Sequence, residues 1–315
     1  MDKKISLTKA KTHSEEPKTK VKRPKRNLKR FLKLWFKSGL FIAPSFLGVM
    51  TFFLVPFGVI IFYSMVDSPI DPIFVGIENY KSVATNEAFL TAVKNTALFS
   101  AIAVPLAMVL SLILAMVLDL NIPFRSQFRT FFLSPMMVPV ASIVLIWQVL
   151  FHNNGAVNDL IMKFGLERID WMKSDYSIIV IVVLFLWKNL GYNMILFMAA
   201  LASIPKDMLE VARLESANPF QTFFYVKIRY LSSTILFVTI MSLISSFKIF
   251  REIYLLTTDY PYPSMYMLQH YMNNKFKRLD YQALSAGAIM MSLVMIVIIG
   301  LLFLIEERFG KDVEG

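Results

Sequence analysis

The chain has 315 residues, 56% of them apolar and only 17% charged, with a formal net charge of +11. A soluble domain averages nearer 25% charged residues, so this composition belongs in a lipid bilayer. The absence of cysteine excludes disulfides, thiolate zinc centres, iron–sulfur clusters and cysteine nucleophiles together, and three scattered histidines, His13, His152 and His270, leave little for an imidazole metal centre.

Residues 1–39 hold fourteen Lys and Arg against three acids and no apolar run. This is too long for the n-region of a signal peptide, and no small-residue cleavage site follows. It reads as a basic cytoplasmic tail that sets topology, with anionic membrane lipid as a second partner. A hydrocarbon core about 30 Å thick requires roughly 20 apolar residues as helix, and six stretches meet that length: 40–66, 95–118, 130–151, 178–202, 231–247 and 283–305. Only Lys188 lies clearly inside one of them. Pro56, Pro105, Pro135 and Pro139 would break soluble helices but are tolerated where neighbouring helices satisfy the freed carbonyls. The expected fold is therefore all-α and polytopic, with six transmembrane helices over 40–305 and a short tail at 306–315. Segments 1–39, 119–129, 203–230 and 306–315 together carry a net charge of +11, whereas 67–95, 152–176 and 248–282 carry −1. The positive-inside rule then places both termini in the cytoplasm. One outer segment, 248–282, dissents with Lys248, Arg251, Lys275, Lys277 and Arg278.

Residues 204–231 are polar, regular and bracketed by spans. Pro205 stands at a favoured first-turn position, and Met208, Val211, Ala212 and Glu215 share one helical face. Asn218 then caps a second start with Pro219 in its first turn, followed by Phe220, Phe223, Phe224 and Ile228 on one side. The pattern predicts a helix–turn–helix along the cytoplasmic surface, and an amphipathic interfacial hairpin would share its periodicity.

The residues of that loop resemble the EAA loop of permease subunits in ABC importers. Glu210-Val211-Ala212, Glu215-Ser216-Ala217, Phe223 and Ile228 follow its order. Val211 stands for alanine, Glu215 for aspartate, Ser216 for glycine and Arg229 for proline; serine in the glycine position predicts a turn that does not need positive φ. The likeness extends over about 40–305 through Ala43-Pro44, Val55-Pro56, Phe74-Val75-Gly76-Ile77-Glu78-Asn79-Tyr80, Ala199-Ala200-Leu201 and Ile204-Pro205. It is that of the maltose-type, binding-protein-dependent sugar importers, with the type I importer permease fold.

The resemblance implies a non-enzymatic permease subunit of a carbohydrate importer in a bacterial cytoplasmic membrane, with oligosaccharides the favoured cargo and glycerol-phosphate-type solutes the alternative. The implied partners are a second homologous permease forming a heterodimer, two ABC ATPase subunits and an extracytoplasmic solute-binding protein, with no nucleic acid. Glu210, Ala212, Glu215, Ser216, Ala217 and Phe223 are the implied ATPase-coupling residues. Glu210 and Arg213, three apart, have pairing with each other as their local alternative. The sequence contains no phosphate-cradling Gly-x4-Gly-Lys-Ser/Thr pattern; no cofactor is expected on this chain, and ATP and Mg belong to the ATPase subunits.

Intramembrane polar groups default to functional candidates. Trp187, Lys188, Asn189, Tyr192 and Asn193 form a stripe on the fourth span, with hydrogen-bonding groups for sugar hydroxyls and an indole for a pyranose face. The equally weighted alternative is helix–helix adhesion, with Lys188 pairing with a carboxylate. Trp147 and Gln148, late in the third span, are a weaker pair, and Asp259-Tyr260-Pro261-Tyr262-Pro263 is a proline-stiffened outer segment. Two other classes compete with the permease reading. A membrane-embedded enzyme requires paired acid/base or nucleophilic groups within the spans, and a self-contained secondary transporter usually has inverted repeats and midplane carboxylates.

Overall fold

The structure, a computed structural model, describes residues 28–120 and 122–310. The basic tail predicted over 1–39 lies outside them up to residue 27, and the 306–315 tail from residue 311 onward. Residues 28–56 form a unit of their own within these limits. In it α1 (Leu28–Val49) runs through one π-helical turn, Met50–Leu54, towards α2 (Val55–Ser64). Pro56 has no N–H to return to the preceding turn, and the ladder slips just before it, the Val55 N–H reaching the Met50 carbonyl.

The second unit begins at Phe57. Leaving α2, the chain is stapled by a single antiparallel bridge between Val66 and Phe74. The Asn79 amide donates to the Ser64 and Val66 carbonyls at 3.1 and 2.8 Å, and Tyr80 Oη lies 2.7 Å from Ser64 Oγ. Gly76 supplies the left-handed φ of +61° that this return requires. Asn79 and Tyr80 belong to α3 (Glu78–Ala84), after which Asn86 caps α4 (Glu87–Asp119) by accepting from the Phe89 N–H at 3.1 Å.

The predicted third span is not one straight helix. It is α5 (Arg125–Met137) followed by α6 (Val140–Leu150), bent by 101°. Pro139 is responsible: it pushes Val138 out of the helical region, to φ −86° and ψ 132°, and α6 restarts after it. A short connecting helix, α7 (Ala156–Lys163), is held by fully buried Asn158. Its amide donates to the Ile169 carbonyl at 2.8 Å and accepts from the Ile169 N–H and the Trp171 indole, each at 3.1 Å.

The central helix is α8 (Ser177–Ala202), which lies along α4. Phe99, Ala103 and Ala107 of α4 meet Ile181 and Phe185 of α8 in one buried cluster. Further along, Leu112, Ala115 and Leu118 meet Met194, Phe197 and Leu201 in another. Small residues allow close approach where no hydrophobic drive exists between lipid-bathed helices; at Gly191 a Cβ would fall inside the Phe132 carbonyl of α5.

A helical pair follows, built from α9 (Lys206–Leu214) and from α10 (Pro219–Gln221) and α11 (Ile228–Tyr230), which flank a π-helical turn at Thr222–Lys227. The predicted fifth span is longer than its hydropathy. After α12 (Ser232–Phe247) and a break at Lys248 and Ile249, α13 (Phe250–Thr257) resumes, and the apolar segment runs from Ser232 to Thr257. Lys248, Arg251 and Glu252 therefore fall within this apolar segment rather than in the loop where the charge count had put them, and Lys275, Lys277 and Arg278 still dissent. A one-turn 3₁₀ helix at Pro263–Met265, then α14 (Leu268–Lys277), form a lobe between the spans, and α15 (Tyr281–Gly310) is the last span. The Asn95 amide fixes that lobe by donating to the Pro263 and Tyr266 carbonyls at 2.6 and 3.0 Å, and Thr96 Oγ1 accepts from the Leu268 N–H at 2.8 Å. Among the described residues five helices are long and apolar enough to cross a membrane, or six with the bent α5–α6 pair counted as one span.

Candidate functional site

Two regions bring polar side chains together where the rest of the molecule is apolar. The first is the α9 turn. Pro205 is the N-cap of α9 rather than its first helical residue. The helix ends in a full Schellman motif: the Ser216 N–H donates to the Arg213 carbonyl at 3.0 Å and the Ala217 N–H to the Ala212 carbonyl at 2.9 Å. That geometry requires a left-handed residue, and Ser216 supplies it with φ +58°. The expectation of a turn without positive φ is thus overturned, because the paired hydrogen bonds dictate the backbone and serine occupies the glycine conformation regardless of its Cβ.

Asn218 then opens the second helix with a capping box. Its side chain accepts from the Gln221 N–H at 2.8 Å, and the Gln221 side chain accepts from the Asn218 N–H at 2.9 Å. The following phenylalanines do not share one face as a 3.6-residue period predicts. Through the π-helical turn the Ile228 N–H reaches the Phe223 carbonyl, so these two residues, five apart, both lie on the α4–α8–α12 core. Phe220 and Phe224 pack against each other with tilted rings, centroids 4.5 Å apart, and remain exposed.

Ala212 is buried within this chain, whereas Glu210, Glu215 and Ser216 are exposed and Ala217 is half-buried. Met208, Val211 and Leu214, exposed by 41, 50 and 84%, make α9 a ridge with an apolar crest. Glu210 and Arg213 form no ion pair among the described residues. The segment is held firmly by Phe223 and Ile228 and presents its other side outward.

The second region surrounds the polar stripe of α8, whose residues separate into different roles. The Asn193 amide is buried and donates to Ser242 Oγ of α12 at 2.9 Å, a helix–helix bond of the kind small polar residues supply in membranes. Ser100 and Ser246 repeat it between α4 and α12 at 2.8 Å. Trp187 packs against Trp147, ring centroids 5.2 Å apart, and Gln148 donates to the Leu256 carbonyl at 3.3 Å. Tyr192 is half-buried. Lys188 and Asn189 instead line a pocket of about 400 Å³ shared with Ser245, Lys248, Arg251, Glu252 and Gln269. There Lys188 forms an ion pair with Glu252, whose side chain is only 5% exposed.

Lys188 therefore has the carboxylate partner that the adhesion alternative requires, and Glu252 lies within the apolar segment Ser232–Thr257 rather than in the loop where the hydropathy reading placed it. The signal for it is present in the sequence: Ile249 and Ile253, both buried, continue an i, i+4 apolar pattern past Phe247. Averaged hydropathy obscures it because three charges interleave with them. Among the described residues no group of three or more His, Asp or Glu side chains is placed to hold a metal.

Outside the spans, His270 on α14 is fully buried. Its Nδ1 accepts from the Met267 N–H at 3.3 Å, and its Nε2 has no partner among the described residues. Burial pushes its pKa down to about 4, against a smaller opposing pull from Asp259. The Lys277 ammonium, 2.6 Å from Asp259, holds that carboxyl below its ordinary range.

Comparison with known proteins accords with this arrangement. The family model described as "Binding-protein-dependent transport system inner membrane component" matches residues 107–314. The probable ABC transporter permease protein YesP of Bacillus subtilis is 28% identical over 278 residues, covering 84% of this chain and 87% of that protein. The arabinooligosaccharides transport system permease protein AraP of Halalkalibacterium halodurans is 27% identical over 216 residues, covering 64% and 67% respectively. Among solved structures, a chain of the bacterial alginate ABC transporter in complex with alginate pentasaccharide-bound periplasmic protein superposes with a TM-score of 0.76 at 19% identity, over 91% of this chain and 99% of that one. Five to six apolar helices of spanning length, a type I importer fold and a family match over most of the chain converge: this protein belongs to the inner membrane components of binding-protein-dependent transport systems.

Proposed function

We propose that this chain is one of two permease subunits of an ATP-driven carbohydrate importer, with oligosaccharides as its cargo, and that α9 docks on a cytoplasmic ATPase subunit. The observation that carries this reading is the α9 ridge. Its apolar crest of Met208, Val211 and Leu214 is exposed beside the acids Glu210 and Glu215, while Phe223 and Ile228 fasten its base to the core. Such a ridge suits a cleft that closes around it: the crest gains from burial, the acids meet basic groups at the rim, and the fastened base transmits displacement to α8 and α12. The name of the relative AraP supports the oligosaccharide cargo. The second permease, the pair of ATPases, the outer binding protein and the cytoplasmic placement of both termini complete the proposal.

Affinity purification of the tagged chain from its native membrane in mild detergent, with mass spectrometry of what stays bound, tests it. Recovery of an ATPase subunit and a second permease is expected, with the ATPase lost from Glu210→Lys and Leu214→Asp variants that remain monodisperse. Recovery of the chain alone, under conditions that keep a known importer intact, overturns the reading.

A further inference from the structure

The pocket between α8 and α13 has a charge imbalance that packing does not explain. Lys188, Lys248 and Arg251 line it with Glu252 as the single acid. Glu252 is occupied by Lys188, and no ion pair among the described residues reaches Lys248 or Arg251, both of which are exposed at the open side of the pocket. Lys188 stands near the middle of the 26-residue helix α8, so the pocket lies towards the centre of the membrane. Cations without counter-ions at that depth are costly in hydrocarbon and mark substrate paths when they face a polar cavity. The volume of about 400 Å³ lies within the range of small-molecule clefts.

Resting on the importer reading above, we infer that this pocket binds an anionic carbohydrate, a sugar bearing a carboxylate or phosphoryl group. Arg251 offers a planar fork to two oxygens of the anion, and Lys248 adds a mobile point charge beside it. Asn189 already donates to the Phe185 carbonyl at 2.7 Å, which leaves its side-chain oxygen to accept from a sugar hydroxyl. Gln269, reaching in from α14, supplies both a donor and an acceptor from the outer side. The Lys188–Glu252 pair fixes the relative position of the two helices and contributes no net charge. A neutral sugar would leave two cations uncompensated in the path.

The test is calorimetric titration of the tagged transporter, with its co-purifying subunits, in lipid nanodiscs without added binding protein. The probes are digalacturonate, its uncharged dimethyl ester and glycerol 3-phosphate. At least one of the two anions is expected to bind about ten-fold or more tightly than the ester, and which one does so identifies the anionic group. The double variant K248Q/R251Q should lose that preference, whereas K248R should keep it. Equal binding of ester and anions overturns the inference, as does anion binding unchanged in the double variant or absent from an intact wild-type complex. It is equally overturned if K248Q/R251Q sheds the second permease while K248R retains it, since the cations would then be subunit contacts. A wild-type preparation without an ATPase overturns the importer reading itself, and this inference with it.

Discussion

Ser216 places a side chain where the backbone of α9 turns left-handed, a conformation about 1–2 kcal/mol less favourable for an L-residue with a Cβ. Ser216→Gly is expected to stabilise the turn by about 1 kcal/mol, seen as slower hydrogen exchange at the Ser216 and Ala217 amides; faster exchange would show that the Schellman bonds do not govern this turn. The residue types reveal the loop and its caps, because Asn218, Pro219 and Gln221 have strong positional preferences. They do not reveal the φ of Ser216, since a substitution away from glycine can mean a relaxed turn or a strained one. Lys188 is a second residue-scale case. With Glu252 almost wholly buried, Lys188→Met should destabilise the protein by about 3–5 kcal/mol through the stranded carboxylate, and the double variant Lys188→Met/Glu252→Leu should recover most of that loss. Thermal unfolding in a single detergent compares them, and equal stability of the two variants would deny that the pair is coupled.

At the scale of elements, the spans are legible where apolar runs are uninterrupted, as in α4, α8 and α15, and illegible where a proline or a charge divides them. Pro139 is visible in the sequence, but the 101° bend depends on α6 finding Trp171, Val180 and Leu184 to pack against. The division of α12 from α13 was hidden for the opposite reason, since charges face the pocket while Ile249 and Ile253 face the core. Helix α14 carries a titratable switch of its own. His270 has a folded pKa of about 4 against an ordinary 6.5, so the unfolded lobe takes up the proton first as pH falls. The stabilisation from neutral His270 is complete above about pH 6.5 and is lost progressively down to about pH 4. Hydrogen exchange in α14 should accelerate over that interval and lose this dependence in His270→Gln; a flat profile in the native chain would contradict the buried neutral imidazole.

For the whole molecule, charge bookkeeping and six crossings predict which loops face which side, and the natural absence of cysteine makes a direct check simple. Single cysteines at Ser216 and Ser126 should be labelled by a membrane-impermeant maleimide only after the membrane is opened. Cysteines at Ser68 and Lys173 should react on intact spheroplasts. The reverse pattern at either pair would invert the proposed topology. Helix count and the loop that bears the exposed ridge can be read from sequence because each depends on composition over many residues. The pocket cannot, since it exists only where α8, α13 and α14 meet and none of the three announces the others.

The Lys188–Glu252 pair joins residues separated by 64 positions in the chain, and this has a consequence for descent. Neither partner can drift alone without leaving a buried charge stranded, so the two positions should be inherited as a unit. Related permeases are expected to hold both charges, to have exchanged them together, or to have replaced both with apolar residues. Where both have gone, the alignment of α8 with α13 must be maintained by shape, and the sugars such a transporter accepts should differ accordingly.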